Sequence, residues 1–190
     1  MKRKSQRMRV LQVNLHHSRE ASAALSGAMR ICDVALIQEP WTYRAENKEP
    51  REVGEELIYS RSIQYPRTCI LVKKGFRILP LMHYCSRELT VVLIKTSSGG
   101  GGAGEFIFGS AYLPYDDVEP PFPGELVRLV TGCRSNETHL IVDCYSNSHH
   151  TTWGSTNINK RGESLFNHIT ANGLDITNIT GRKLLILRLP

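Results

Sequence analysis

Residues 140–155 read LIVDCYSNSHHTTWGS: an apolar run enters, two adjacent histidines and a tryptophan leave, and one aspartate sits in the middle. With the preceding Thr138 and His139 the run is β-rich and short, so it reads as a core strand that delivers Asn147 to its end. Three more strands share this habit. "MRVLQVNL" (8–15) ends on Asn14, "DVALIQEP" (33–40) is stopped by a proline directly after Glu39, and "EFIFGSAYL" (105–113) ends on Tyr112. Polar side chains at the ends of core strands can converge on one rim of a rigid sheet sandwich.

The segments between these strands support a layered arrangement. Ser18 is placed to cap a helix through "REASAALSGAMR", and residues 41–55, polar and proline-bounded, read as a loop. Strands follow in series at 56–60, 68–74 and 89–96, and "SSGGGGAG" (97–104) forms the turn into the strand that ends on Tyr112. A helix begins near Pro123 and stops by Gly132. "NKRGESLFNHITANG" carries Leu165, Phe166 and Ile169 on one face, with Gly173 as its stop, and "LDITNI" (174–179) starts another strand. Helices interspersed with many strands give an α/β or α+β sandwich.

Composition narrows the class. The 190 residues are 41% hydrophobic and 22% charged, which suits one domain with a real core and argues against disorder. No apolar run reaches the length of a membrane span, and "MKRKSQRMRVLQVN" lacks the apolar core of a secretory signal, so no membrane partner is expected. Five cysteines, an odd number with no CxxC pair, point to reduced thiols in an intracellular setting and away from a disulfide framework or zinc site. The net charge of +6 favours a polyanionic partner, with nucleic acid the commonest. Arg19, Arg44, Lys73, Lys74, Lys160 and Arg161 are the unranked basic candidates for it, each equally a solvated surface residue.

Taken singly, the strand-end residues are ambiguous: Glu39 also reads as an exposed loop glutamate, Asn14 as a turn residue, Tyr112 as a packing residue. In order they are specific. "LQVNLHHSREASAAL", "ALIQEPW", "GSAYLPYDD" and "NSHHTTWGSTNINKRGESLFNHITANGLDITN" resemble the endonuclease/exonuclease/phosphatase superfamily, and within it the apurinic-endonuclease-like domain encoded by non-LTR retrotransposons. The resemblance runs from about residue 9 to 179. It implies a four-layered α/β sandwich over residues 8–179, flanked by a basic tail at 1–7 and an unrelated basic tail at 180–190. It further implies Mg²⁺- or Mn²⁺-dependent cleavage of DNA phosphodiester bonds for target-site nicking, in the nucleus, with a reverse transcriptase domain as companion in the full-length element. Glu39 would be the direct metal ligand with Asn14 beside it, Tyr112 would bind or orient the scissile phosphate, and Asn147 would help hold phosphate and attacking water. Magnesium's preference for hard oxygens, with one or two carboxylates plus substrate phosphate, suits those residue types.

Two departures bear on activity. The family's strand ends in aspartate, any residue, then asparagine; alignment on Asn147 puts Tyr145 where that aspartate belongs. A phenol is neutral at pH 7 and a poor base. Asp143 is the nearest substitute, on the same face but about 6.6–6.8 Å away along the strand. Furthermore, no Ser-Asp-His occurs, and "TGRKLLILRLP" does not resemble the family, so the sandwich is expected to be incomplete at its C-terminus, with raw sheet edges. The resemblance therefore implies an endonuclease whose catalysis is impaired in this copy; the alternative is a non-catalytic retrotransposon-derived relic that binds metal or nucleic acid weakly. His149 and His150 read as structural or rim histidines, and Trp153 as packing beneath their loop.

Overall fold

A computed structural model describes residues 8–43, 46–47, 55–96, 104–115, 122–177 and 184–189. In chain order the elements are β1 (Val10–Asn14), α1 (Arg19–Met29), β2 (Val34–Gln38), the small hairpin β3 (Thr42–Tyr43) and β4 (Glu46–Asn47), β5 (Glu55–Ile58), β6 (Thr68–Lys73), β7 (Arg77–Pro80) and β8 (Leu89–Thr96). They continue with β9 (Gly104–Tyr112), α2 (Gly124–Ser135), β10 (His139–Tyr145), α3 (Lys160–Ala171), β11 (Asp175–Ile176) and β12 (Leu184–Leu189). One sheet runs β1-β2-β6-β5, and the second runs β11-β12-β10-β9-β8-β7. Only β1–β2 and β9–β10 pair in parallel among these strands, and those four carry the site residues on their C-terminal ends.

Three apolar clusters show why the layers stack. Ala35, Ile37, Cys69 and Leu71 pack against Leu25 and Met29 of α1 on the outer face of the first sheet. Val91, Leu140, Val142 and Cys144 pack against Leu126, Leu129 and Val130 of α2 and Leu165 and Ile169 of α3 on the outer face of the second. Val34, Leu36, Ile70, Val72, Val92, Ile94 and Phe108 fill the space between the sheets. β2 and β6, buried on both faces, are accordingly near-continuous apolar runs rather than alternating ones. The expected four-layered α/β sandwich is the architecture found.

Local signals fix the helix ends. The Ser18 side chain accepts a hydrogen bond from the Ala21 amide, closing α1 at its N-terminus. Gly173, with φ 57°, follows the α3 C-cap Asn172 in the left-handed conformation that ends many helices.

Four expectations differ from the structure. α2 runs through Gly132 to Ser135: a Cβ at Gly132 would lie 2.8 Å from the Tyr84 hydroxyl, so this glycine serves a close approach rather than a stop. Residues read as one loop include the β3–β4 hairpin. β7, absent from the strand series, forms the sheet edge, where Pro80 is tolerated.

The fourth concerns the C-terminal segment, expected as a tail beside a raw edge. Leu184–Leu189 forms β12, antiparallel to β10 from Leu140↔Leu189 to Tyr145↔Leu184, and covers that edge. Its alternation explains the insertion: Leu187 and Leu189 are buried in the outer-face cluster while Arg188 between them is exposed. The glycine-rich turn at 97–103 and the tail at 1–7 lie outside the described residues. No helix among the described residues is long and apolar enough to cross a membrane.

Candidate active site

The rim at the C-terminal ends of β1, β2, β9 and β10 gathers the polar strand-end residues from both sheets. Glu39 sits in the turn after β2 with φ 46°, its amide donating to the Arg67 carbonyl at 2.8 Å and its carbonyl accepting from His17 N at 2.8 Å. Its carboxylate faces two imidazoles, His16 Nδ1 at 3.5 Å and His17 Nε2 at 3.7 Å. Asn14, the last residue of β1, accepts the His16 amide on Oδ1 at 2.8 Å. That bond spends the oxygen and leaves the buried Nδ2 without a partner. A buried unmatched donor is costly unless something fills it.

From the other sheet come Tyr112, Tyr145 and Asn147. The Tyr112 phenol feels both Asn147 beside it and the Glu39 carboxylate of the other sheet, so the two halves of the rim face each other there. Burial raises the Tyr112 phenol above its ordinary value, with the Glu39 carboxylate adding to the rise and the Asn147 hydrogen bond and Arg67 opposing it. Asn147, at φ 50°, donates its Nδ2 to the Leu113 carbonyl at 2.9 Å. Tyr145 lies parallel to Tyr112, ring centroids 5.8 Å apart with a 5° interplanar angle. Burial and then the Glu39 carboxylate push its phenol up as well. At neutral pH the side chain at this strand end is a hydrogen-bonding alcohol and cannot remove a proton from water.

Among the described residues six non-glycine residues have positive φ, and His16, His17, Glu39 and Asn147 are four of them. Such conformations cost roughly 1–3 kcal/mol each for non-glycine residues, less for asparagine, and persist where the surroundings over-determine them. Four of these six gather on one rim, which makes it the candidate functional end of the fold.

One pleat deeper lies a buried polar seam. Gln12, Ser110 and Asp143 each precede a rim residue by two positions on the same strand face, namely Asn14, Tyr112 and Tyr145, and Gln38 directly precedes Glu39. The Gln12 and Gln38 amides donate to the two oxygens of Asp143. Gln38 Nε2 also donates to Ser110 Oγ at 2.8 Å, and Ser110 Oγ to the Ile37 carbonyl at 2.8 Å. Thr68 and Thr90 extend the seam, their hydroxyls 2.9 Å apart. These bonds cross between the sheets.

Asp143, the expected substitute base, lies inside this seam and not on the rim. It is fully buried, both of its oxygens are taken by glutamine amides, and burial holds its carboxyl well above the usual carboxylate range. The reason is registry: two positions back from the strand end is inside the sandwich.

The other sequence candidates divide. Arg161 Nε donates to the Ser146 carbonyl at 3.3 Å beside Asn147, whereas Lys160 is exposed at the start of α3. The Arg19 guanidinium sits 5.8 Å from the Trp41 ring centroid. Lys73 donates to the Arg30 carbonyl and Arg44 lies outside the described residues. His150 is stacked on Phe166 at 4.5 Å, His149 Nδ1 pairs with Asn157 Oδ1 at 2.8 Å, and buried Trp153 donates Nε1 to the Ser148 carbonyl. Arg67 is the rim residue that sequence reading missed: its guanidinium lies 4.9 Å from the Tyr112 ring centroid, and nothing around it in the chain announces that. A cavity of about 400 Å³ lies elsewhere, at the start of β10 beside Cys133, Arg134, His139 and Gly173, away from the strained turns and the carboxylate.

Known proteins share this architecture. Residues 106–186 match the family model described as "Endonuclease-reverse transcriptase". Over 95% of its length the chain superposes on 84% of the endonuclease domain of TRAS1, a telomere-specific non-LTR retrotransposon, with a TM-score of 0.75 at 22% identity. An endonuclease/exonuclease/phosphatase family protein from Bacteroides thetaiotaomicron gives 0.60 at 12% identity, over 96% of this chain and 83% of that one.

The chain has the endonuclease/exonuclease/phosphatase fold.

The Xenopus laevis APE2 catalytic domain shares that fold as well, with a TM-score of 0.57 at 12% identity over 95% of this chain and 82% of that one. No curated protein sequence matches the chain. The resemblance carried by the four motifs is thus borne out. On this fold the rim offers one carboxylate, Glu39, and an unmatched amide donor, Asn14 Nδ2. Glu39 alone fits Mg²⁺ or Mn²⁺ held through a single carboxylate with water and phosphate completing the shell, whereas Asn14 Nδ2 is a hydrogen-bond donor suited to an anion and not a metal ligand. Among the described residues no three His, Cys, Asp or Glu side chains are grouped to hold a metal on their own.

Proposed function

We propose that this rim is a phosphodiester site for DNA, built as a divalent-cation-dependent endonuclease and impaired in its hydrolytic step. The observation that carries the reading is that Glu39 from one sheet and Tyr112 and Asn147 from the other face one another on one rim, with a neutral phenol, Tyr145, stacked beside Tyr112 at the neighbouring strand end. Glu39 would hold Mg²⁺ or Mn²⁺, and such an ion, when bound, neutralises charge on the phosphate and on the leaving oxygen. Asn14 Nδ2 donates a hydrogen bond to a phosphate oxygen, and Tyr112 and Asn147 position that phosphate against Glu39. Arg161, next to Asn147, and Arg19 add charge along the backbone path. The strand end that would carry a base offers none, since Tyr145 is protonated at neutral pH and Asp143 is sealed beneath it. The wider setting that accompanies this reading is a nuclear protein acting with a reverse transcriptase.

Plasmid nicking with Mg²⁺ and with EDTA tests it, using the native chain, Glu39→Ala and Tyr145→Asp. The expected result is no nicking by the native chain and Mg²⁺-dependent nicking by Tyr145→Asp. Metal-dependent nicking by the native chain that is lost in Glu39→Ala would refute the impairment. If neither chain nicks and Mn²⁺ does not bind, as read by water proton relaxation, the metal site itself is refuted and a relic without phosphodiester chemistry is left.

A further inference from the structure

We propose that Arg67 is the fixed phosphate-binding cation of the rim: its guanidinium donates to the phosphate that Tyr112 positions, with or without a divalent ion at Glu39. This rests on the phosphodiester reading of the rim and adds the group that meets the phosphate's own charge.

The sheet register places Arg67. Gln38 pairs with Thr68 in the antiparallel β2–β6 ladder, so Glu39 and Arg67 are the next pair out, where both strands reach the rim. Their backbones meet there: the Arg67 carbonyl accepts the Glu39 amide at 2.8 Å, and the Arg67 amide donates to the Arg87 carbonyl at 2.8 Å. One backbone contact therefore ties the root of the arginine to the strained Glu39 turn.

Opposite charges at facing ladder positions stabilise each other when they pair. These two do not pair. Glu39 leaves the ladder at φ 46°, and its carboxylate faces His16 and His17. The Arg67 guanidinium lies instead over the Tyr112 ring, 4.9 Å from its centroid. Among the described residues its ion-pair partner is Glu88, whose Oε2 is 3.9 Å from Nε and so beyond hydrogen-bond reach. The guanidinium thus makes no hydrogen bond to a described residue, although only 26% of the side chain is exposed. Five N–H donors left unspent on a half-buried cation are costly unless a ligand takes them.

A phosphate supplies what is missing. Glu39 by itself repels an anion, and a fixed positive charge beside it offsets that repulsion. The planar fork of an arginine gives two parallel N–H···O bonds to one phosphate, which an ammonium cannot do. The same charge is felt at Tyr112, where it opposes the rise that burial imposes on the phenol.

Fluorescence anisotropy in EDTA tests the proposal, with a fluorescein-labelled DNA duplex titrated over a range of NaCl concentrations. Each neutralised phosphate contributes about 0.9 to the slope with which log K falls against log salt. Arg67→Met should lower the slope by about that much and weaken binding about ten-fold. Arg67→Lys should keep the slope and still lose about three-fold, because it has charge without the fork. Arg87→Met is the control of equal charge: Arg87 also lies 3.9 Å from Glu88, but its Nε donates to the Tyr65 carbonyl at 3.3 Å, and its slope should stay native. A purely structural role for Arg67 would lower affinity without moving the slope. An unchanged slope in Arg67→Met that still melts like the native chain, or equal changes in Arg67→Met and Arg87→Met, would overturn the proposal. If Arg67→Met does not fold, Arg67→Lys decides, and native affinity in that variant overturns it. Slope loss on Arg67→Met without nicking by Tyr145→Asp sinks the hydrolysis reading alone; nicking by Tyr145→Asp with the slope unmoved sinks this one alone.

Discussion

Replacing Asp143 by asparagine should make the protein more stable, although it removes a charged residue held by two hydrogen bonds. Asp143 is fully buried and accepts from the Gln12 and Gln38 amides. Asparagine keeps the shape. Its oxygen can retain the Gln38 bond, and its amide can donate to Gln12 once that half-buried carboxamide turns over, so the number of hydrogen bonds is conserved. What changes is the charge.

Burial raises the Asp143 carboxyl well above its ordinary 3.8, so the folded state holds the proton more tightly than the unfolded state does. Folding stability therefore falls as pH rises from about 4 through the raised folded value, and asparagine lacks that fall. The advantage of Asp143→Asn should be small near pH 4 and on the order of 1–3 kcal/mol at pH 7, the scale of one relieved buried polar mismatch. For a chain of this size that is several degrees in Tm. Asp143→Ala should instead cost roughly 2–4 kcal/mol, because it strands the fully buried Gln38 amide and opens a void. Urea unfolding of the three chains at acidic and neutral pH reads both effects. An Asn variant whose deficit against the native chain grows from acidic to neutral pH would refute the reasoning, since it would mean that the carboxylate is ionised in the fold and that the seam is built to hold an anion.

Other expected outcomes are more local. Gly162→Ala should unsettle the loop before α3, because a Cβ there would lie 1.8 Å from the His149 carbonyl oxygen; a loss on the order of 2 kcal/mol and a red-shifted Trp153 emission would show it. The Cys133 thiol is pushed up to about 11 by burial, and Cys69 and Cys144 are buried, so Ellman's reagent at pH 8 should reach Cys32 well before these three, with denaturant levelling the rates. His168, stacked on Phe122 with centroids 4.3 Å apart, is held below the usual imidazole value by burial. Stability from it is present above about pH 6.5 and lost as pH falls through the lower folded value, and an NMR titration that places His168 above 6.5 would contradict this.

Much of the rim was legible in the sequence because strand ends are local events. Glu39 before a proline, Asn14 at the end of an alternating run and Asn147 before the paired histidines are each visible within ten residues. Ser18 and Gly173 announce their helix ends for the same reason. The seam was not legible: Gln38 meets Ser110 across 72 residues and Asp143 across 105, and a lone glutamine in an apolar strand carries no sign of its partner. Asp143 looked available because sequence gives the face of a strand without its depth. Arg67 was missed because its role depends on where Tyr112 arrives from the other sheet. β12 was missed since a short, mostly apolar run, LLILRL, pairs with β10 without any quoted motif to mark it.

That the rim is shared between two sheets has a consequence for how variation in this protein should be read. Asn14 and Glu39 travel with one sheet and Tyr112, Tyr145 and Asn147 with the other, so their alignment is a property of how the sheets sit on each other. A volume change at Val34, Ile94 or Phe108, deep in the apolar layer and outside the rim, shifts one half of the site relative to the other before it unfolds anything. In a mutational scan for ligand binding, distance from Glu39 would then be a poor guide to effect. The sensitive positions should trace the sliding plane between the sheets, and the helices on the outer faces should stay comparatively silent.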